Sequence, residues 1–143
     1  MRINTAVLGQ IDVDDDHIFH LPDGLYGFEH EDNYALITKQ DDGVTLMWLQ
    51  AVNASAPCFV VFNPFDVMDG YSPVLEKSDL SFLGAKDVSE LMFFVIAVVP
   101  EDLEKITVNL KSPVVVNKND KRARQVILAN RDYPIKFPLF SEE

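Results

Sequence analysis

Short apolar runs recur along this chain about every ten residues, and the gaps between them carry glycine, proline, asparagine or aspartate. No helical periodicity persists beyond about two turns. A chain punctuated in this way cannot build long helices. It can build short antiparallel strands joined by tight reversals. The pattern predicts an all-β fold: a small antiparallel barrel-like or sandwich domain with at most one or two short helical turns. One domain is expected over residues 1–143. Residues 133–143, with two prolines and two terminal acids, read as a loosely held tail.

The runs themselves set the expected strands. Arg2 to Leu8 places Ile3, Thr5 and Val7 on one face, and Gly9-Gln10 reads as the turn into Ile11 and Val13. Ile18 to Leu21 closes at Pro22-Asp23-Gly24. Gly24 and Gly27 then bracket Leu25 and Tyr26, ahead of Phe28 as a core anchor. Tyr34–Thr38 and Leu46–Val52, the latter with Trp48 against the core, flank Asp41-Asp42-Gly43. Cys58–Phe62 is apolar throughout and reads as a strand buried on both faces, ended by Asn63-Pro64. Asp79 is the expected cap of a short helix through Leu83, with Gly84 as its stop. Leu91–Val99 is the strongest strand signal. Pro100-Glu101-Asp102 then starts a loop or helical turn, and Ile106, Val108 and Leu110 alternate as a strand. Val114–Val116 and Gln125–Leu128 read as a closing hairpin around a basic turn.

Charge narrows the function classes. Residues 1–117 carry 6 basic and 19 acidic side chains, a net of −13, whereas residues 118–136 carry 6 basic and 2 acidic, a net of +4. Phosphate contacts need a basic face, so direct nucleic-acid binding by the whole domain is disfavoured. An acidic body suits a basic protein partner. Residues 1–16 lack the layout of a secretory leader, and Leu91–Val99 is about half of what a bilayer span needs. A soluble cytoplasmic protein is expected, with no membrane partner.

Enzyme signatures are weak. The lone Cys58 opens an apolar run with no basic residue nearby, which suits a buried thiol better than a nucleophile. His17, His20 and His30 lie among Asp14–Asp16, Glu29, Glu31 and Asp32. Imidazole with carboxylate is metal chemistry, and a metal-dependent hydrolase at His17 and His20 is one alternative reading. Their spacing matches none of the usual motifs, so no metal, cofactor or catalytic residue is assigned. A second alternative is an acidic structural adaptor for some other basic protein. The element Phe62-Asn63-Pro64-Phe65 differs in kind. It is either a strand-ending corner with Phe65 in the core, or an interaction edge shaped by Asn63. Asn109 and Asn117 bracket the Pro113–Val116 run and read as hairpin corners, and Lys118 to Arg124 as a solvated turn.

Several of these blocks, in their order and spacing, resemble the FliW family of flagellar assembly factors over almost the whole chain. They are GQIDVDDDHIFHLPDGLYGFE from Gly9, FNPF at 62–65, VIAVVPEDLEKITVNL at 95–110, SPVVVN at 112–117, QVIL at 125–128, Tyr133-Pro134 and Pro138-Leu139. Lys111 and Ser112 stand where the family pattern is apolar and then alanine, and Arg124 where lysine is familiar. The resemblance implies a β-rich binding protein without enzymatic activity; separately, no heptad or large exposed apolar helix suggests obligate assembly, so a monomer is expected when free. The resemblance also implies two protein partners in the cytoplasm: newly made flagellin, and CsrA, the RNA-binding repressor of flagellin mRNA. The expected partner-binding residues are Asn63, Pro64 and Phe65, then Pro100, Glu101, Asp102 and Leu103, and finally Asn109 and Asn117.

Overall fold

The most apolar run becomes the strand on which the others depend. The computed structural model describes residues 1–6, 8–130 and 132–140. Its strands are β1 (Arg2–Thr5), β2 (Gly9–Asp12), β3 (Ile18–His20), β4 (Asn33–Asp41), β5 (Val44–Ala51), β6 (Cys58–Phe62), β7 (Leu91–Val98), β8 (Thr107–Val108), β9 (Val114–Asn117), β10 (Ala123–Gln125) and β11 (Phe137–Pro138). Two short helices, α1 (Pro64–Val67) and α2 (Lys77–Leu83), lie between β6 and β7. The fold is mostly antiparallel sheet, as the spacing of the runs predicts.

β1 and β2 pair with each other, and the remaining strands follow the path β10-β9-β7-β6-β5-β4-β3, with β8 on β7 and β11 on β8. The ends of that path meet. His20 bridges Arg122, and its amide donates to the Lys121 carbonyl at 2.9 Å, so the sheet curls toward closure. β7 holds three neighbours at once. β6 pairs on one edge through Val61↔Ile96 and Phe62↔Val95. On the other edge its first half pairs β9 and its last residues pair β8.

Side chains alternate across a strand, so a run that is apolar at every position can bury both faces. Leu91, Phe93, Val95 and Ala97 pack with Tyr71, Leu75, Leu83, Leu110 and Leu128. Phe94, with Met92 and Ile96, packs with Phe19, Leu21, Leu25, Tyr34 and Leu49 on the opposite face. β7 therefore separates two cores. By contrast β6, expected to be buried on both faces, fully buries only Val61. Trp48 and Phe28 are half-buried.

Several boundaries differ from expectation for local reasons. Gly9 and Gln10 are not the first turn; they pair with Thr5 and Asn4. The reversal falls earlier, where the Thr5 hydroxyl donates to the Gly9 carbonyl and accepts from the Leu8 amide, at 2.8 and 2.7 Å. Val7, placed by its spacing on the face of β1, lies outside the described residues. The β4–β5 reversal is the expected Asp42-Gly43 pair, both at positive φ (49° and 77°), the geometry that matches strand twist. α2 ends at Gly84 with φ 68°, but Glu76, not Asp79, occupies its N-cap. The closing hairpin uses Ala123–Gln125, two residues earlier than expected, although Val126 and Leu128 continue to bond back to Pro113 and Lys111. The closing stretch, expected to be a loosely held tail, makes backbone hydrogen bonds as far as residue 139. Phe137 and Pro138 pair β8, the Pro134 carbonyl accepts from Leu110, and the Leu139 amide donates to Ile106. Residues 141–143 lie outside the described residues.

The two cores treat their tyrosines differently. The Tyr71 hydroxyl donates to the Leu110 carbonyl at 2.7 Å. The Tyr34 hydroxyl is buried without a hydrogen-bond partner among the described residues. Burial, and secondarily the charge of Glu31, pushes the Tyr34 pKa up to about 12. An unfolded tyrosine ionises near 10. The contribution of Tyr34 to stability is thus complete below about pH 10 and is lost as pH rises toward 12. Two substitutions separate these roles in urea unfolding. Near neutral pH, Tyr71→Phe should cost about 1–2 kcal/mol, while Tyr34→Phe should be neutral or stabilising by up to about 1 kcal/mol. Above pH 10 the Tyr34→Phe protein should lose stability less steeply than the parent.

Candidate functional site

Asn63 folds the FNPF corner through its own side chain. Its Oδ1 accepts from the Phe65 amide at 3.0 Å, it caps α1, and Pro64 follows at the first helical turn, where no amide donor is needed. Pro64 is buried. Phe65 is divided between the two readings of its sequence: its ring packs edge-on against Tyr71 (5.5 Å) and Phe93 (5.6 Å), yet the residue remains 46% exposed.

Pro100–Leu103 leaves the end of β7 on the surface. Asp102 accepts from the Glu104 amide at 3.1 Å and starts a 3-10 turn at Leu103. Glu101 and Asp102 are exposed, and so are the apolar Val98, Val99 and Leu103. Asn109 lies at this same end. Its amide donates to the Ile96 carbonyl, and its Oδ1 accepts from the Lys111 and Ser112 amides at 3.2 and 3.0 Å. Asn117 sits at the opposite end of β7, paired with Leu91. It is buried, with Nδ2 donating to the Leu83 carbonyl (2.7 Å) and Oδ1 accepting from the Asn119 amide (2.8 Å). The expected binding residues are therefore spread along β7. Asn109 and Pro100–Leu103 share one end, Phe65 faces the helix side, and Asn117 ties α2 to the β9–β10 turn.

The basic segment behaves differently from a solvated turn. Arg124 is a strand residue whose guanidinium lies 3.8 Å from the Phe82 ring centre. It binds Asp23 through Nη2 (2.9 Å) and Nε (3.2 Å), and Asp79 through Nη1 (3.1 Å). The hydrogen bond to Asp23 is the leading cause that raises the Arg124 pKa. Arg122 donates to the Phe82 carbonyl and Lys118 to the Ser89 carbonyl. Three cations of the basic segment thus serve the protein's own scaffold. Sequence spacing gave no sign of this, because Asp23 and Arg124 are 101 residues apart.

Gly24 makes the corner beside Asp23. It has φ 66°, and a Cβ there would lie 2.6 Å from both the Phe28 carbonyl oxygen and the Glu29 Cα. The corner holds Leu25 in the core and leaves Tyr26 outside, with the Tyr26 amide donating to Gln125 Oε1 at 3.0 Å.

Burial pushes the Cys58 thiol pKa up, away from the thiolate. His20 is engaged with Asn33 at 2.6 Å. Among the described residues no group of three or more His, Cys, Asp or Glu is placed to hold a metal ion. No helix among them is long and apolar enough to cross a membrane.

Comparison with known proteins adds four findings. A family model described as FliW protein matches residues 2–139. The flagellar assembly factor FliW of Ruminiclostridium cellulolyticum is 37% identical over 142 residues, covering 99% of this chain and 96% of that protein. The flagellar assembly factor FliW of Thermotoga neapolitana is 39% identical over 142 residues, covering 99% and 94%. A solved structure, described as the crystal structure of the flagellar assembly factor FliW, superposes with a TM-score of 0.88 at 29% identity, covering 100% of this chain and 99% of that one.

Stability measurements can separate scaffold from surface among the candidate residues. Asn117→Ala should lower unfolding stability by about 2 kcal/mol, because it strands the buried Leu83 carbonyl and releases the Asn119 amide. Leu103→Ala should stay within about 0.5 kcal/mol of the parent, as exposed substitutions generally do. Equal losses in urea titrations would contradict this division.

Proposed function

The chain belongs to the FliW family, and we propose that it is a flagellar assembly factor that works by binding two proteins in the cytoplasm. One is flagellin. The other is the translational repressor CsrA, whose repression of flagellin mRNA it relieves. Flagellin that accumulates inside the cell occupies this protein and frees CsrA; export of flagellin reverses the exchange. The observation that carries this reading is the family match over residues 2–139.

The charge pattern supports one step of the cycle. Residues 1–117 hold a net of −13. Among the described residues of the basic segment only Arg124 is paired with carboxylates, Asp23 and Asp79. Docked beside a basic RNA-binding surface, such a body raises the electrostatic cost of phosphate approach. It needs no nucleic-acid contact of its own. On the flagellin side the reading takes Asn63, Pro64, Phe65, Pro100, Glu101, Asp102, Leu103 and Asn109 as the docking region. The half-exposed Phe65 is its apolar anchor. Asn117 acts there indirectly, by holding the hairpin.

Titration calorimetry with purified flagellin and CsrA tests the proposal. The parent should bind both. Phe65→Ala should weaken flagellin binding at least tenfold while its circular dichroism and cooperative unfolding remain. Failure of the parent to bind either protein would refute the function. Loss of folding in Phe65→Ala would return that ring to a purely structural role.

A further inference from the structure

β6 and β7 pair through only two residue couples, Val61↔Ile96 and Phe62↔Val95. Continued, that register would set Phe59 opposite Val98. The ladder stops before that couple, and Phe59 and Val98 keep only their pairings on the outer edges, with Leu49 of β5 and Thr107 of β8. Where the ladder stops, a groove of about 280 Å³ opens, lined mainly by Tyr26, Phe59, Ile96, Val98 and Ile135, with Asn109 and Lys136 at its margin. Val98 and Ile135 are 62% and 60% exposed, and Tyr26 56%. The volume falls just below the usual range for small-molecule sites, and the lining offers few groups to orient a cofactor. Side chains from another protein suit it better.

The groove does not stand alone. Tyr26 and Gln125 also line a second cavity of about 480 Å³, which gathers Asp23, Glu29, Glu76 and Asp79 around one cation, Arg124. Arg124 is shared by Asp23 and Asp79. Glu29 and Glu76 have no ion pair among the described residues. An apolar slot thus runs into a pocket with excess negative charge.

We infer that this composite groove seats an amphipathic segment of a protein partner, its apolar stripe against Phe59, Ile96, Val98 and Ile135 and a Lys or Arg beside Glu29 and Glu76. The apolar stripe supplies the desolvated centre of the contact, and the carboxylates select for a basic residue at one end. The inference rests on the reading of this chain as a protein-binding module. It adds the face and the chemistry of what that face takes. Asn109, among the residues expected to bind partners, lies on the groove, and Pro100–Leu103 begins two residues after Val98.

A fluorescently labelled 14-residue helical peptide with leucines at helical spacing and lysines elsewhere is a direct probe. Its counterpart with glutamates for lysines is the control. The parent should bind the lysine peptide at least tenfold more tightly than the glutamate peptide. Val98→Asp should weaken the lysine peptide at least tenfold, and Glu76→Lys severalfold. The aspartate is decisive, because it makes the surface more acidic. Diffuse charge attraction would leave binding unchanged or tighter, whereas a buried apolar contact weakens it. Ile135→Asp, in a loop, serves if Val98→Asp fails to fold. Equal binding of both peptides, or unchanged binding by the aspartate variants, overturns the groove. If the parent binds flagellin or CsrA and folded Val98→Asp binds both equally well, the groove fails and the function stands. If the parent binds neither, the function fails, and the peptides still decide the groove.

Discussion

Burial of both faces of one strand organises this molecule. Leu91–Val98 is apolar at every position, so no face of it can be left to water without cost. Odd positions take the helix-side core and even positions take the core beneath β3, β4 and β5. Because β7 also pairs with β6, β8 and β9, both layers and the closing hairpin are referenced to it. The same arrangement leaves the end of β7 exposed. There the pairing with β6 stops, the chain turns through Pro100–Leu103, and the apolar groove opens.

Electrostatics divides the labour in a second way. A protein with 23 acidic and 12 basic side chains repels itself as it folds. It spends its clustered cations at the points of greatest need. Arg124 joins the Asp23 corner to α2 across the Phe82 ring, and Arg122 and Lys118 hold carbonyls of the α2–β7 segment. Of these cations only Arg124 is neutralised by carboxylates among the described residues; Arg122 and Lys118 keep their charge at the surface while tying the scaffold.

Local chemistry was legible and long-range chemistry was not. Asp42-Gly43, the end of α2 at Gly84, the full span of β6 and nearly that of β7 follow from turn residues and apolar runs, which act within a few positions. The first hairpin departs from its sequence pattern because a threonine hydroxyl, not the glycine, sets its reversal. Asp79 reads locally as a cap, yet its partner Arg124 lies 45 residues away. The same limit applies to the candidate site. Asn63 and the Asp102 turn were visible as corners, while the burial of Asn117 depends on α2, 34 residues upstream. The groove was invisible, since it arises from where two strands stop pairing and carries no motif.

The proposal's core is that a negatively charged β scaffold keeps RNA away from CsrA by field as well as by contact. The most direct measurement is RNA release from CsrA by this protein across a range of ionic strength, with CsrA occupancy followed in parallel. The screening length shrinks from about 30 Å at 0.01 M salt to about 8 Å at 0.15 M. At matched occupancy of CsrA, the factor by which this protein weakens RNA binding, relative to CsrA alone at the same salt, should therefore shrink as salt rises. A factor that is indifferent to salt at constant occupancy would contradict the electrostatic mechanism.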